Sequence, residues 1–313
     1  ITAKEGSGGF FEVRNLKLSS LPVVNIFGAE VVVSSGKARG LLESHDQFWE
    51  SDEREAQSLE IDFHETAELG GIIFNWGENF AKDFDLEVED SQGGWNTLER
   101  VRGFFGGSSF HYLPDTEARR LRLVLLKRGA GESYQLDSVE LQGSSFSSSW
   151  NSFLSACAQR KRRGLYPRYF LKEQSYWTVV AWDGSRQKAL INEEGMIELG
   201  YGLPSIEPFV KFGNELSSWN ESEGTQSLVK DCLPMPVVTR VYPGIKLSIL
   251  AWMNQSEHTY VSYEIENSSD KTQIGELLLL VRPYQVNPPW QFLNIPGGFC
   301  PVKSLEFDGD ELV

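Results

Sequence analysis

Two adjacent phenylalanines set among glycines, Phe104 and Phe105 in the run Arg-Gly-Phe-Phe-Gly-Gly-Ser-Ser, are the residues of this chain best suited to binding chemistry. Neighbouring side chains of a strand point to opposite faces, so a single buried face cannot take both rings. Either at least one ring stands in solvent, or one points inward and the other packs a neighbouring loop; an exposed ring beside planar polar groups is what carbohydrate recognition uses. A second candidate is the proline-stiffened run from Val281 to Gly298, where Gln285, Asn287, Trp290, Gln291 and Asn294 offer amides and an aromatic plane. That run suits sugar hydroxyls and equally an interface with a further domain; the interface is the preferred reading. Catalysis has thin support. Glycoside hydrolysis wants two carboxylates across a cleft, and of the 44 acidic residues only Glu207, between Pro204 and Pro208, stands out. Its plainer role is a hydrogen-bonded structural glutamate. His45, His64, His111 and His258 lack metal-like spacing. The sequence holds no Gly-x-Ser-x-Gly, phosphate-cradling glycine loop or dinucleotide fingerprint.

The elements that must hold these residues are short, half-buried strands. Leu59, Ile61 and Phe63 alternate with Glu60 and Asp62, while Phe84, Leu86 and Val88 alternate with Asp83, Asp85, Glu87 and Glu89. Leu121, Leu123 and Leu125 repeat the period of two, which sets one face in a core and the other in water. Turn chemistry separates the pieces, as at Ser91-Gln92-Gly93-Gly94. The pattern predicts an antiparallel β-sandwich. After Gly143 a serine-rich run, 144–149, reads as a connector, and 150–163 as a short helix with Phe153, Leu154 and Cys157 on one side. From Tyr166 strands return, with a hairpin at Asp183-Gly184 and a continuous Leu277–Leu280 run expected to be covered on both faces. The fold class is all-β: a jelly-roll sandwich over 1–143, linker and helix over 144–163, and a second, larger β-sandwich over 164–313.

Charge narrows the partners. The chain has 313 residues and a net charge of −15, most of the acidic excess falling before residue 145. Such a field repels phosphate backbones and anionic membranes, so nucleic acid is excluded as a partner. The one basic cluster, 160–163, reads as a solvated helix end. Cys157, Cys232 and Cys300 form neither a disulfide framework nor a metal set, and are read as buried thiols. No apolar run reaches membrane-spanning length. The chain starts at Ile1 and ends in SLEFDGDELV, so it is read as a fragment, with cytoplasmic and extracytoplasmic locations both open.

The ordered pieces FWES, LEIDF, GGIIFNW, FAKDFDLEVEDSQGGW, ARRLRLVLL and SVELQG resemble the discoidin, or coagulation factor V/VIII type C, family of galactose-binding-like jelly rolls, over about residues 20–143. The resemblance implies a non-catalytic module that binds glycans or, less often, lipid or protein surfaces. It implies binding residues on the loops at one end of the jelly roll: His45, Phe48, Glu78, Asn79, Phe104, Phe105 and Tyr134. Trp76 and Trp95 are expected in the core. The family's metal loop opens with Asp-Gly; aligned on Trp49, Leu42 stands where the Asp should be and Glu43 at the Gly. Leu offers calcium no oxygen, so a weak Ca2+ site or none is expected, with Glu43, Asp46 and Glu140 as the residues that could rebuild one. The later order VYPGIKLSILAW, TYVSYEIENSSDKTQ, ELLLLVRPYQVNPPWQF is similar to the β-sandwich that precedes the (α/α) toroid of glycosidases and glycoside phosphorylases. The joint implication is the carbohydrate-binding N-terminal part of a larger glycoside hydrolase- or phosphorylase-like protein, packing on a C-terminal domain outside this sequence. The alternative is a protein-interaction or cell-surface adhesion module without sugar specificity.

Overall fold

The computed structural model describes residues 2–5, 11–14, 29–38, 40–42, 48–293, 295–309 and 311–312. Their regular structure is almost entirely strand, and the chain divides into two compact units, 1–153 and 154–313. The only α-helix among the described residues, α1 (Trp150–Gln159), has 10 residues and contains the division; no helix is long and apolar enough to cross a membrane.

In the first unit, β1 (Thr2–Glu5) pairs with β2 (Phe11–Arg14) as a separate antiparallel ribbon. The remaining strands, all antiparallel, are β3 (Glu30–Val33), β4 (Trp49–Glu50), β5 (Gln57–Trp76), β6 (Ala81–Glu89), β7 (Trp95–Val101), β8 (Ser108–Arg128) and β9 (Gln135–Gln142), in the order β4-β9-β5-β8-β6-β7 with β3 also on β5. The two expected strands LEIDF and GGIIFNW are one, the 20-residue β5, against a usual strand of about 5–6 residues. It bends at register shifts between Asp62 and Gly71. Its first half pairs with β3 and its second with β9, so one chain segment serves both layers. Leu59 and Ile61 from one half and Ile72, Phe74 and Trp76 from the other join a single core with Trp49, Phe84, Leu121 and Leu123. The outward residues pair across strands: Arg120 bonds Glu60 and Glu89, and Arg122 bonds Glu87. Trp95 is not in the core. It lies half-buried on this outer face, with the Arg122 guanidinium 4.2 Å from its ring.

The serine-rich run does not hang free as a connector. Residues Ser144–Ser147 form a 3-10 turn whose Phe146 ring is buried against Gly71, where a Cβ would stand 2.4 Å from the ring. Trp150 stacks on Tyr112 at 4.1 Å, tying the start of α1 to the same unit.

The second unit has β10 (Trp177–Val180), β11 (Ala189–Asn192), β12 (Ile197–Glu198), β13 (Ser205–Phe212) and β14 (Glu215–Ser217) in sequence order, with β19 (Gly275–Arg282) on β13. A four-stranded sheet holds β15 (Glu223–Leu228), β16 (Pro236–Tyr242), β17 (Ile245–Met253) and β18 (Thr259–Asn267); β20 (Phe307–Asp308) and β21 (Glu311–Leu312) form a small hairpin. Ile191, Ile197 and Val210 from the first sheet pack with Val238, Leu247 and Ile249 from the second. The expected β10–β11 hairpin forms, with Trp177 opposite Asn192. The leucine run of β19 is not covered on both faces: Leu279 is 45% and Leu280 38% exposed, and among the described residues β19 pairs only with β13. Glu207 is structural, as its plainer reading holds: Arg282 donates to it at 2.9 Å and Ser205 at 3.4 Å, and burial pushes its carboxyl up while Arg282 pulls it back. Cys157 and Cys300 are buried, whereas Cys232 is exposed, contrary to the expectation of three buried thiols.

Candidate functional site

Four loops of the first unit meet at one end of its strands and are laced by backbone bonds. Gly77 N donates to Gln135 O at 3.1 Å and Gln135 N to Asn79 O at 2.6 Å. Gly129 N donates to Phe80 O at 2.9 Å, Trp76 N to Gly107 O at 3.1 Å, and Ser51 N to Tyr134 O at 2.9 Å. These bonds satisfy the loops' backbone groups and tie the loops to one another.

Phe105 stands at the tip of the loop between β7 and β8, and its ring is 89% exposed. Gly103, Gly106 and Gly107, with φ of 73°, 98° and 80°, provide the left-handed turns that throw it outward. Beneath it Phe104 lies nearly parallel, at 5.9 Å and 27°. Phe104 is propped in turn by Phe80 at 6.0 Å, Phe84 at 6.1 Å and Trp76 at 6.4 Å. The loop base is fixed by Phe104 N to Lys82 O and Gly103 N to Asp83 Oδ1, at 2.9 and 2.8 Å. An exposed apolar ring on a rigid aromatic stack loses little entropy when it stacks on a ligand.

Beside the shared 77–80 loop is an open depression of about 780 Å³, lined by Glu50, Asp52, Glu53, Arg54, Asn79 and Glu132 among others. Asn79 Nδ2 donates to Ser133 Oγ at 3.1 Å, which donates to Glu50 Oε1 at 3.0 Å. Arg128 closes the floor, donating to Glu53 O at 2.6 Å and Glu132 O at 2.9 Å. Desolvation works against ionisation of Asp52, but the Arg54 and Gln57 hydrogen bonds outweigh it and hold the carboxyl below its ordinary range. Four carboxylates against Arg54 leave the lining anionic.

The sequence candidates divide. Phe48 and Glu78 are exposed, Asn79 lines the depression, and Phe104 and Phe105 form the stack. Tyr134 is a correction: its ring is 0% exposed, its OH donates to Glu55 O at 2.8 Å, and burial pushes its pKa to about 12. It is a core residue because the alternation that buries Leu136 and Ser138 extends back to it. His45, Glu43 and Asp46 lie outside the described residues. Glu140 accepts from Asn75 Nδ2 at 2.9 Å, Leu42 packs on the core, and among the described residues no three metal-binding side chains gather. Phe80, Glu50, Asp52 and Glu132 were not singled out by the sequence. The signal available was Gly129-Ala130-Gly131: a Cβ on Gly129 would sit 2.0 Å from the Phe80 ring, and one on Gly131 2.1 Å from Asn79 Oδ1.

The F5/8 type C domain pattern matches residues 31–139. That match lies within the first unit. Among solved structures, chitosan-binding module 1 of a chitosanase/glucanase from Paenibacillus sp. IK-5 is 19% identical with a TM-score of 0.34, covering 36% of this chain and 94% of that one. A Clostridium perfringens module in complex with GalNAc-β-1,3-galactose is 14% identical, TM-score 0.35, covering 38% and 99%. A Ruminococcus gnavus fucosidase in complex with fucose is 16% identical, TM-score 0.33, covering 38% of this chain and 26% of that one. No curated protein matches the chain.

Proposed function

We propose that the discoidin-type domain binds a glycan through the Phe105 platform, as the non-catalytic N-terminal part of a larger glycoside hydrolase- or phosphorylase-like protein. The observation that carries this reading is Phe105 itself, 89% exposed yet held by a propped ring beneath it. One face of a sugar ring would lie on Phe105, while Glu78 and the depression's carboxylates accept from hydroxyls and the Asn79 amide donates to one. The anionic lining favours neutral and amine-bearing sugars over acidic ones. The reading of the second unit as a sandwich of the kind that supports a catalytic toroid rests on the sequence resemblance alone, and catalysis is assigned to no residue of this chain.

Burial of one ring and a few hydrogen bonds at an open site gives a Kd of about 0.1 to a few mM. Isothermal calorimetry with galactosides, glucosides and amino sugars tests it. Heat with one class supports the reading. No heat with any sugar shifts the assignment to a protein-interaction module, and release of reducing ends by the purified chain would overturn the non-catalytic assignment.

A further inference from the structure

The second unit contains a pocket of about 400 Å³ whose lining is rich in hydrogen-bond donors: Arg168, Arg240, Trp219, Thr225, Gln226 and, at 65% exposure, Tyr176. Arg240 is 4% exposed and projects from β16 past Gly224, where a Cβ would stand 1.9 Å from Nη1. It donates to Trp219 O at 2.5 Å, Ser222 O at 2.9 Å, Ser222 Oγ at 2.8 Å and Glu193 O at 3.3 Å. All of these acceptors are neutral, and the carboxyls whose charge Arg240 feels, Glu194 and Glu193, are not among its hydrogen-bond acceptors through their side chains. Arg163 and Arg168 both lie against the Trp219 ring, at 4.7 and 4.8 Å. Arg163 is saturated by Asn220 and by both oxygens of Glu173. Arg168 bonds Glu194 through Nε alone, at 2.7 Å, which leaves its two terminal nitrogens without acceptors among the described residues. Gln226 Nε2 is buried and has no acceptor either. The one acid in the lining, Glu193, is already engaged, accepting from Tyr176 N at 2.9 Å and standing 3.7 Å from Arg168 Nε.

A buried donor without an acceptor, as Gln226 Nε2 is, is rare in folded proteins and marks a place where an acceptor is to be supplied, and the partly exposed Arg168 head stands in the same lining with its terminal nitrogens open to a ligand. A guanidinium edge beside an amide suits a carboxylate, and the volume suits one sugar ring. We infer that this pocket binds the carboxylate of an acidic monosaccharide, its oxygens on Arg168 and Gln226 Nε2 and its ring face against Tyr176. This site is independent of the glycan reading of the first unit, and Phe105→Ala is expected to leave it unchanged.

The test is calorimetry of the whole chain with glucuronate, glucose and inorganic sulfate at matched ionic strength, on the native sequence, Gln226→Glu and Tyr176→Ala. Glucuronate should bind with a Kd of about 1 mM, at least tenfold more tightly than glucose, and weaken as salt rises. Gln226→Glu replaces the donor with a carboxylate and should abolish that binding. Tyr176→Ala changes an exposed ring, and should weaken glucuronate about tenfold while leaving any sulfate binding in place. If Gln226→Glu does not fold, the Tyr176→Ala result decides. The inference is overturned if glucuronate gives no heat, if glucose binds equally well, if sulfate binds and glucuronate does not, or if both variants bind as the native chain does.

Discussion

The arginines of the first unit's outer sheet face, Arg120 and Arg122, pair with Glu60, Glu89 and Glu87 where water still reaches them, and the Trp95 ring covers part of their planes. In the second unit, charged groups go inside. Glu207 meets Arg282 in the interior, Glu198 accepts from Val286 N at 2.8 Å and Gly202 N at 2.8 Å, and Arg240 is held by backbone carbonyls. The first unit thus keeps its arginine–glutamate pairs at the surface and exposes the Phe105 ring at a loop tip. The second fixes irregular loops by giving them buried charges to bond. The two pockets follow suit, one lined by carboxylates and the other by guanidinium and amide donors.

The largest expected effect tests that contrast directly. Arg282→Ala strands the buried Glu207 carboxylate and should cost about 3–5 kcal/mol. Arg122→Ala removes a partly hydrated pair and should cost under about 1 kcal/mol. Urea unfolding of each variant measures both, and equal losses would erase the distinction between the units.

A second consequence is a pH slope confined to the second unit. Burial pushes the Glu194 carboxyl from 4.5 up to about 7, with the Arg168 guanidinium opposing. Between these values the folded chain keeps a proton that the unfolded chain has released, so stability falls as pH rises from 4.5 to about 7 and is level outside that window. At about 1.4 kcal/mol per pH unit the loss is up to about 3 kcal/mol. Melting temperatures across this range should show the slope, and Glu194→Gln should reduce it, leaving the part that the raised carboxyls of Glu193, Glu198 and Glu207 carry in the same direction.

Smaller effects belong to the first unit. Gly71→Ala places a Cβ 2.4 Å from the Phe146 ring and 2.6 Å from His111 O, one a side chain and the other backbone. Overpacking of this sort costs about 1–3 kcal/mol, read by urea unfolding. Smallest of all is the response to chelator. We propose that calcium contributes little here, because Leu42 packs on the core instead of offering an oxygen; excess EDTA should move the melting temperature by less than about 1 °C.

The strands were legible because alternation is a local signal: Leu59, Ile61 and Phe63, then Leu121, Leu123 and Leu125, turn the same face inward. Phe105 was legible for a related reason, since two adjacent rings among glycines defeat alternation. The bend that fuses two expected strands into β5 was harder to read, because it depends on partners more than forty residues away. Tyr134 was misplaced since a loop residue beside a strand can continue the inward face of that strand. The Leu277–Leu280 run looked doubly covered, yet β19 is an edge strand, and whether a run of leucines has neighbours on both sides is a property of topology that its own residues do not encode. The depression's wall comes from three distant segments, around residues 50–54, 79 and 132–133, which no spacing rule connects.

The most direct test of the central claim is calorimetric titration of the native chain and of Phe105→Ala with the sugar that gives the strongest heat, alongside their melting temperatures. Loss of binding in Phe105→Ala with melting unchanged is the predicted result, because a ring 89% exposed contributes to recognition and not to the core. Undiminished binding in that variant, or no heat from the native chain with any sugar, would contradict it.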